Sequence, residues 1–227
     1  MNTDLYLETI DRAEALRYMG FGDSEPEKSF MERIDSVERE LIKTAIPRFV
    51  WKALSLSHDE SGNCFAGGVT LTGKAIAEHL EGCTKAVLIA ATLSSQCDML
   101  IAKAQARSMT DALIADALAS AGIEQICNKA ERLIGQELGN KYMTWRFSPG
   151  YGDLPINLQE DFITELDAHR RIGLTVTDSS ILIPTKSVTA IIGISDTPLP
   201  KKRQGCEFCD MRDRCQFRRK GVHCGNA

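Results

Sequence analysis

Apolar residues recur along this chain in two rhythms, and the changes from one to the other mark its elements. Leu5 to Ile10 alternates apolar with polar positions, which predicts a strand. Asp11 then precedes a short helix, Arg12 to Met19, closed by Gly20 and Gly22. An aspartate at that point accepts the first free N–H groups of a helix. Ser24 opens a second helix with Glu25, Pro26 and Glu27 in its first turn. Its stripe of Met31, Ile34, Val37, Leu41 and Ile42 repeats at helical spacing until Pro47 stops it. Phe49 to Leu56 and Cys64 to Leu71 read as strands around the polar turn His58 to Asn63.

The second half of the pattern is richer in helix. Gly73 leads into a helix that ends near Gly82. Lys85 to Thr92 is a strand with Val87, Leu88 and Ile89 in a row, the composition of a strand buried on both faces. Ser94 to Arg107, Thr110 to Ala121 and Glu124 to Leu138 read as three alanine-rich helices. Thr144 to Phe147 is a strand, and a helix carrying Leu158, Phe162 and Leu166 ends near Arg171. A β-rich pair, Leu174 to Thr177 and Ser180 to Ile183, precedes a last strand, Val188 to Ile194. Mixed helices and mostly antiparallel strands give an α+β class.

Composition changes the picture little. A chain of 227 residues, 43% hydrophobic and 26% charged, suits one large domain or a domain with an appendage. No apolar run reaches the length of a membrane span, and Asp4, Glu8 and Asp11 do not make the basic start of a signal peptide. The chain is read as cytoplasmic. Charge changes the picture more. From Lys201 onward eight Lys and Arg stand against Glu207, Asp210 and Asp213, so this tail carries +5 and the rest of the net −4 chain carries −9. Such asymmetry predicts two modules, residues 1–200 and 201–227.

Candidate chemistry concentrates between the helical and strand-rich regions, in Arg146-Phe147-Ser148-Pro149-Gly150-Tyr151 and the following Gly152 to Pro155. Prolines and glycines exclude a regular element here. Arg146 offers a planar fork of donors for a carboxylate. Gly150 lets a ligand approach the backbone, and Tyr151 adds an aromatic face that attracts a cation such as a sulfonium. A plain Pro/Gly turn with a surface arginine is the alternative. Upstream, Gly68 to Ala75 nearly spells a phosphate-binding loop. Ala75 lacks the hydroxyl that would hold magnesium, so the segment is read as a strand-to-helix turn.

Arg146-x-x-x-Gly150-Tyr151 resembles the S-adenosylmethionine-binding motif of the activation domain of cobalamin-dependent methionine synthase. Ile172-Gly173-Leu174-Thr175, Thr177-Asp178-Ser179, Pro184 and Ser187-Val188 resemble the family's next block in the same order. The resemblance spans roughly residues 60 to 195. It implies a helical layer against a twisted antiparallel sheet. It also implies binding of S-adenosylmethionine and presentation of that ligand to a cobalamin, on a partner protein, that has slipped to cob(II). Ser148 and Pro149 fall inside the implied site. A family glutamate that contacts the ligand falls near Glu124, although Glu124 also suits a helix start. The implied partners are a corrinoid-binding methionine synthase or a related corrinoid protein, and an electron donor such as flavodoxin or ferredoxin. The family's aromatic residue near the adenosine has no counterpart in Ala190-Ile191-Ile192-Gly193.

The tail holds Cys206-x-x-Cys209-x5-Cys215-x8-Cys224, half of the eight cysteines. Too few apolar residues lie there to form a core, so a metal is the expected cross-link. With a single Cys-x-x-Cys and arginines around it, a [4Fe–4S] cluster is expected, with zinc as the alternative. Cys64, Cys83, Cys97 and Cys127 read as small buried hydrophobes. Two other functions compete with a stand-alone activation protein. One is a zinc-tailed nucleic-acid-binding protein, for which the basic tail with Phe208 and Phe217 speaks. The other is an S-adenosylmethionine sensor without turnover.

Overall fold

The structure is a computed structural model, and it describes residues 5–21, 24, 26–59, 63–139 and 141–199. Along the chain run α1 (Arg12–Tyr18), α2 (Lys28–Thr44), β1 (Arg48–His58), β2 (Cys64–Ala66), β3 (Val69–Leu71), α3 (Lys74–His79) and β4 (Lys85–Thr92). Then follow α4 (Ser95–Arg107), α5 (Met109–Glu137), β5 (Tyr142–Met143), α6 (Gln159–Leu166), α7 (Ala168–Ile172), β6 (Thr175–Val176), β7 (Leu182–Ile183) and β8 (Ser187–Ser195).

β4 lies at the centre because every residue after Lys85 is buried. It pairs antiparallel with β1 on one side and β8 on the other, from Lys85↔Ile194 to Thr92↔Ser187. The sheet order is β3-β2-β1-β4-β8-β5, with β6 and β7 as a separate hairpin. Alternate residues enter two cores. Val87, Ile89 and Ala91 join Ala190, Ile192 and Ile194 under α1, α2, α4 and α5. Ala86, Leu88, Ala90 and Ile191 meet Ile76, Phe162, Leu166 and Ile172 from α3, α6 and α7. Each fully buried Leu or Ile contributes about 1.5–3 kcal/mol to this arrangement.

The α+β class stands. Helices pack on a mainly antiparallel sheet, as expected, and they do so on both of its faces. Other local expectations change. Leu5 to Ile10 is not a strand. Leu5, Leu7 and Ile10 are buried, but the segment lies on α5, where Lys129 and Gln125 donate to the carbonyls of Tyr6 and Thr9. Residues 109–137 form one helix, not two. Gly122 sits inside it because Leu7 and Leu93 pack where a side chain would be. The 64–71 strand is two, turned at Gly67 and Gly68, and the helix after Pro155 breaks at Asp167 in the left-handed region. Asp11 caps α1, accepting the Glu14 N–H at 3.0 Å. Cys64, Cys83, Cys97 and Cys127 are buried in the core, as expected.

A candidate ligand site at a strand bulge

Beyond β5 the chain continues beside β8, but out of step. Met143 pairs with Ile194, and Phe147 bridges Ile191. Three residues thus separate the two contacts on one strand and two on the other, which is a β-bulge of one residue. Thr144 anchors it. Its N–H donates to the Gly193 carbonyl at 2.9 Å, while its Oγ1 accepts the Gly193 N–H at 2.8 Å. The same hydroxyl lies 2.8 Å from Nε2 of His79, a buried histidine at the end of α3.

The bulge puts two consecutive side chains, Thr144 and Trp145, on the His79 side, and ordinary alternation resumes after them. Trp145 and Phe147 turn toward α3, with ring centroids 4.6 and 4.9 Å from the ring of His79. Arg146 turns to α5. Its Nη2 donates to Oε2 of Glu124 at 2.9 Å, and its Nη1 donates to Oε2 of Glu131. Glu124 and Glu131 stand two turns apart, so both face the same side of the helix. Glu131 is the more enclosed of the two carboxylates, 24% exposed against 43%. Burial pushes the Glu131 carboxyl above its ordinary range, against the pull of Arg146. Arg146 is held firmly charged because the nearby acidic groups outweigh its own burial. Cys127 lies in the core beside this cluster, and burial pushes its thiol up to about 12.

Ser148 to Leu154 closes into a tight loop. The Tyr151 N–H donates to the Ser148 carbonyl at 3.0 Å, and the Gly150 N–H to the Leu154 carbonyl at 2.9 Å. Pro149 is buried and Ser148 half-buried. Tyr151 is 59% exposed, with its ring edge-on to Phe147 at 6.1 Å. Gly150 has φ +92, and a Cβ there would meet the Ile156 side chain at 2.9 Å. The loop needs a glycine for its own backbone, whatever it binds. Asp153 then accepts the N–H groups of Lys74 and Ala75 at 2.6 and 3.0 Å. The segment that nearly spelled a phosphate loop is therefore a helix start, with a carboxylate from its own chain at its N–H groups.

Of the expected ligand residues, Arg146 and Glu124 are brought into direct contact. Ser148, Pro149, Gly150 and Tyr151 form the adjoining loop, with Tyr151 directed to Phe147 and Arg146 to α5. Glu131 was not foreseen, although its helical spacing from Glu124 was a usable signal. His79, Thr144 and Asp153 left no local signal, since their partners are distant in sequence. Cys206, Cys209, Cys215 and Cys224 lie outside the described residues. Among the described residues no group of His, Cys, Asp or Glu is gathered to hold a metal, and no helix is long and apolar enough to cross a membrane.

No protein-family model matches this chain, and no curated protein matches it. Among solved structures it is similar to a crystal structure of the MetH reactivation domain bound to AdoHcy. The TM-score is 0.66, with 98% of this chain and 86% of that chain covered, at 16% identity. The fold is that of the MetH reactivation domain. That domain was solved with AdoHcy bound, and the likeness of fold comes with few identical residues.

Proposed function

We propose that this chain binds S-adenosylmethionine at the bulge and supports reductive remethylation of a cob(II)alamin carried by a partner protein. The observation that carries the proposal is Arg146, fixed on α5 by Glu124 and Glu131 at the head of a loop ending in Gly150 and Tyr151. Likeness of fold to a domain solved with AdoHcy supports it. A zwitterionic amino acid suits this arrangement. Its carboxylate takes donors of Arg146, which has five N–H groups. Glu124, the more open partner, is then released to accept the ligand's ammonium, while Glu131 keeps the guanidinium in place. Tyr151 stands 59% exposed against Phe147, on the other side of the strand from Arg146, so the ligand's amino-acid end rests on Arg146 and Glu124.

The reacting methyl passes to cobalt on the partner, so the work of this chain is binding and orientation. Cobalamin on the partner supplies the methyl-accepting metal. The cysteines of the tail are the donor set for a [4Fe–4S] cluster, with a flavodoxin or ferredoxin as the outside electron donor. Calorimetry with S-adenosylmethionine tests the binding reading, and absence of binding overturns it. Transfer of the labelled methyl group to a cob(II)alamin-loaded corrinoid protein, under a chemical reductant, distinguishes activation from sensing without turnover.

A further inference from the structure

The face of α5 that meets Arg146 extends further toward the helix start. Asp116, Ser120 and Glu124 follow one another at one-turn spacing on it, and a second cation from the sheet lies against it. Lys186, one residue before β8, brings its ammonium to 2.8 Å from Oδ1 of Asp116 and donates to the Ser120 hydroxyl at 2.9 Å. Ser120 in turn donates to the Asp116 carbonyl at 2.9 Å. The Lys186 side chain is only 13% exposed, whereas Asp116 is 56% exposed. A nearly buried lysine thus holds an open carboxylate by one oxygen. The other oxygen has no partner among the described residues. Eight residues of helix place Asp116 about 12 Å along the axis from Glu124.

We propose that Asp116, held by Lys186 and Ser120, binds the ribose hydroxyls of the ligand whose amino-acid end lies at Arg146. This rests on the reading of the bulge as an S-adenosylmethionine site and names a second contact within it. A carboxylate accepts from vicinal hydroxyls, which is how acidic residues read the ribose of dinucleotides. The span from Arg146 past Glu124 to Asp116 follows the order of groups in the ligand: carboxylate, ammonium, sulfonium, ribose. Lys186 is a positioning residue in this arrangement. It fixes the carboxylate and stays largely out of solvent.

The test uses S-adenosylhomocysteine and its 2′,3′-dideoxyribose analogue, titrated calorimetrically into the full chain. Wild-type protein should prefer the ribose form by about tenfold, the effect of one or two hydrogen bonds to a charged group. Asp116→Asn should erase that preference and leave affinity for the dideoxy analogue unchanged. Lys186→Met should reduce the preference, and Lys186→Arg should restore it, which a merely structural role would not do. Thermal melts of each variant keep a folding defect apart from a binding one. A wild type that binds both ligands equally, or an Asp116→Asn variant that weakens both alike, overturns the assignment. A wild type that binds neither ligand overturns the reading of the bulge itself.

Discussion

Asp153, in the loop that follows Arg146, accepts the backbone N–H of Lys74 at 2.6 Å. With the Ala75 N–H at 3.0 Å, this contact ties the Arg146–Pro155 loop to the start of α3. The N–H groups of Ala75 and Lys74 hold the Asp153 carboxyl below its ordinary value of 3.8. A depressed carboxyl contributes stability that is present above its unfolded pKa and lost as pH falls through the folded one. Thermal melts of the wild type should therefore drop as pH falls below about 4. Asp153→Asn should show a shallower drop over the same window. Gly73→Ala should resemble it, since a Cβ at Gly73 would stand 2.5 Å from Oδ1 of Asp153. Identical acid limbs for wild type and Asp153→Asn would disprove the clamp.

Arg146→Ala should weaken S-adenosylmethionine binding about tenfold to 150-fold, the loss of one charge-assisted pair of roughly 1.5–3 kcal/mol. It also removes the cation that draws the Glu131 pKa down, so that pKa rises further above its ordinary 4.5. A raised carboxyl contributes stability below its unfolded pKa and loses it as pH rises through the folded value. Compared with the wild type, Arg146→Ala should be destabilised at pH 7 and regain part of the loss near pH 5. Adding Glu131→Gln should remove that pH dependence. Denaturant unfolding at the two pH values decides the matter, and parallel losses at both would exclude an uncompensated Glu131.

Gly150→Ala should lower stability by about 1–2 kcal/mol, because the residue stands at φ +92. The steric part of the cost is small, since the nearest atom is the end of the exposed Ile156 side chain. Combining Gly150→Ala with Ile156→Ala should therefore not restore the stability. Full recovery in urea titrations of the double variant would place the cost in crowding instead of backbone strain.

Protein purified without oxygen should be brown and hold iron and sulfide in equal amounts, from Cys206, Cys209, Cys215 and Cys224. Truncation after Lys202 should remove the colour and leave S-adenosylmethionine binding intact. A colourless protein with one bound zinc would contradict the cluster and leave a folded docking element.

The sheet was legible because its central strands are buried on both faces. Val87-Leu88-Ile89 and Ala190-Ile191-Ile192 are apolar runs too short for helices and lie between polar or glycine boundaries. Local pattern failed where tertiary packing decided. Leu5 to Ile10 alternates because every second residue or so enters the core over α5, not because a strand partner exists. Gly122 falls between the two helices expected at 110–121 and 124–138, yet Leu7 fills the space above it and the helix runs through. The loop at Arg146 stood out through its prolines and glycines. The ion pairs around it did not, because Glu131, Asp116 and Lys186 carry no motif and meet only when α5 is laid along β8.

The extra residue between Met143 and Phe147 makes the length of this segment a constraint in its own right. Thr144 and Trp145 both lie on the His79 side, opposite the single residue Gly193. Deleting either one would close the bulge into a regular ladder in which Arg146 keeps its face toward α5 and Phe147 stays opposite Ile191. Losing both would bring Arg146 opposite Gly193, turning its guanidinium to the aromatic pocket around His79 and presenting Phe147 to α5. The segment should thus tolerate the loss of one residue and reject the loss of two, a rule of counting that no substitution scan of Arg146 or Tyr151 would reveal.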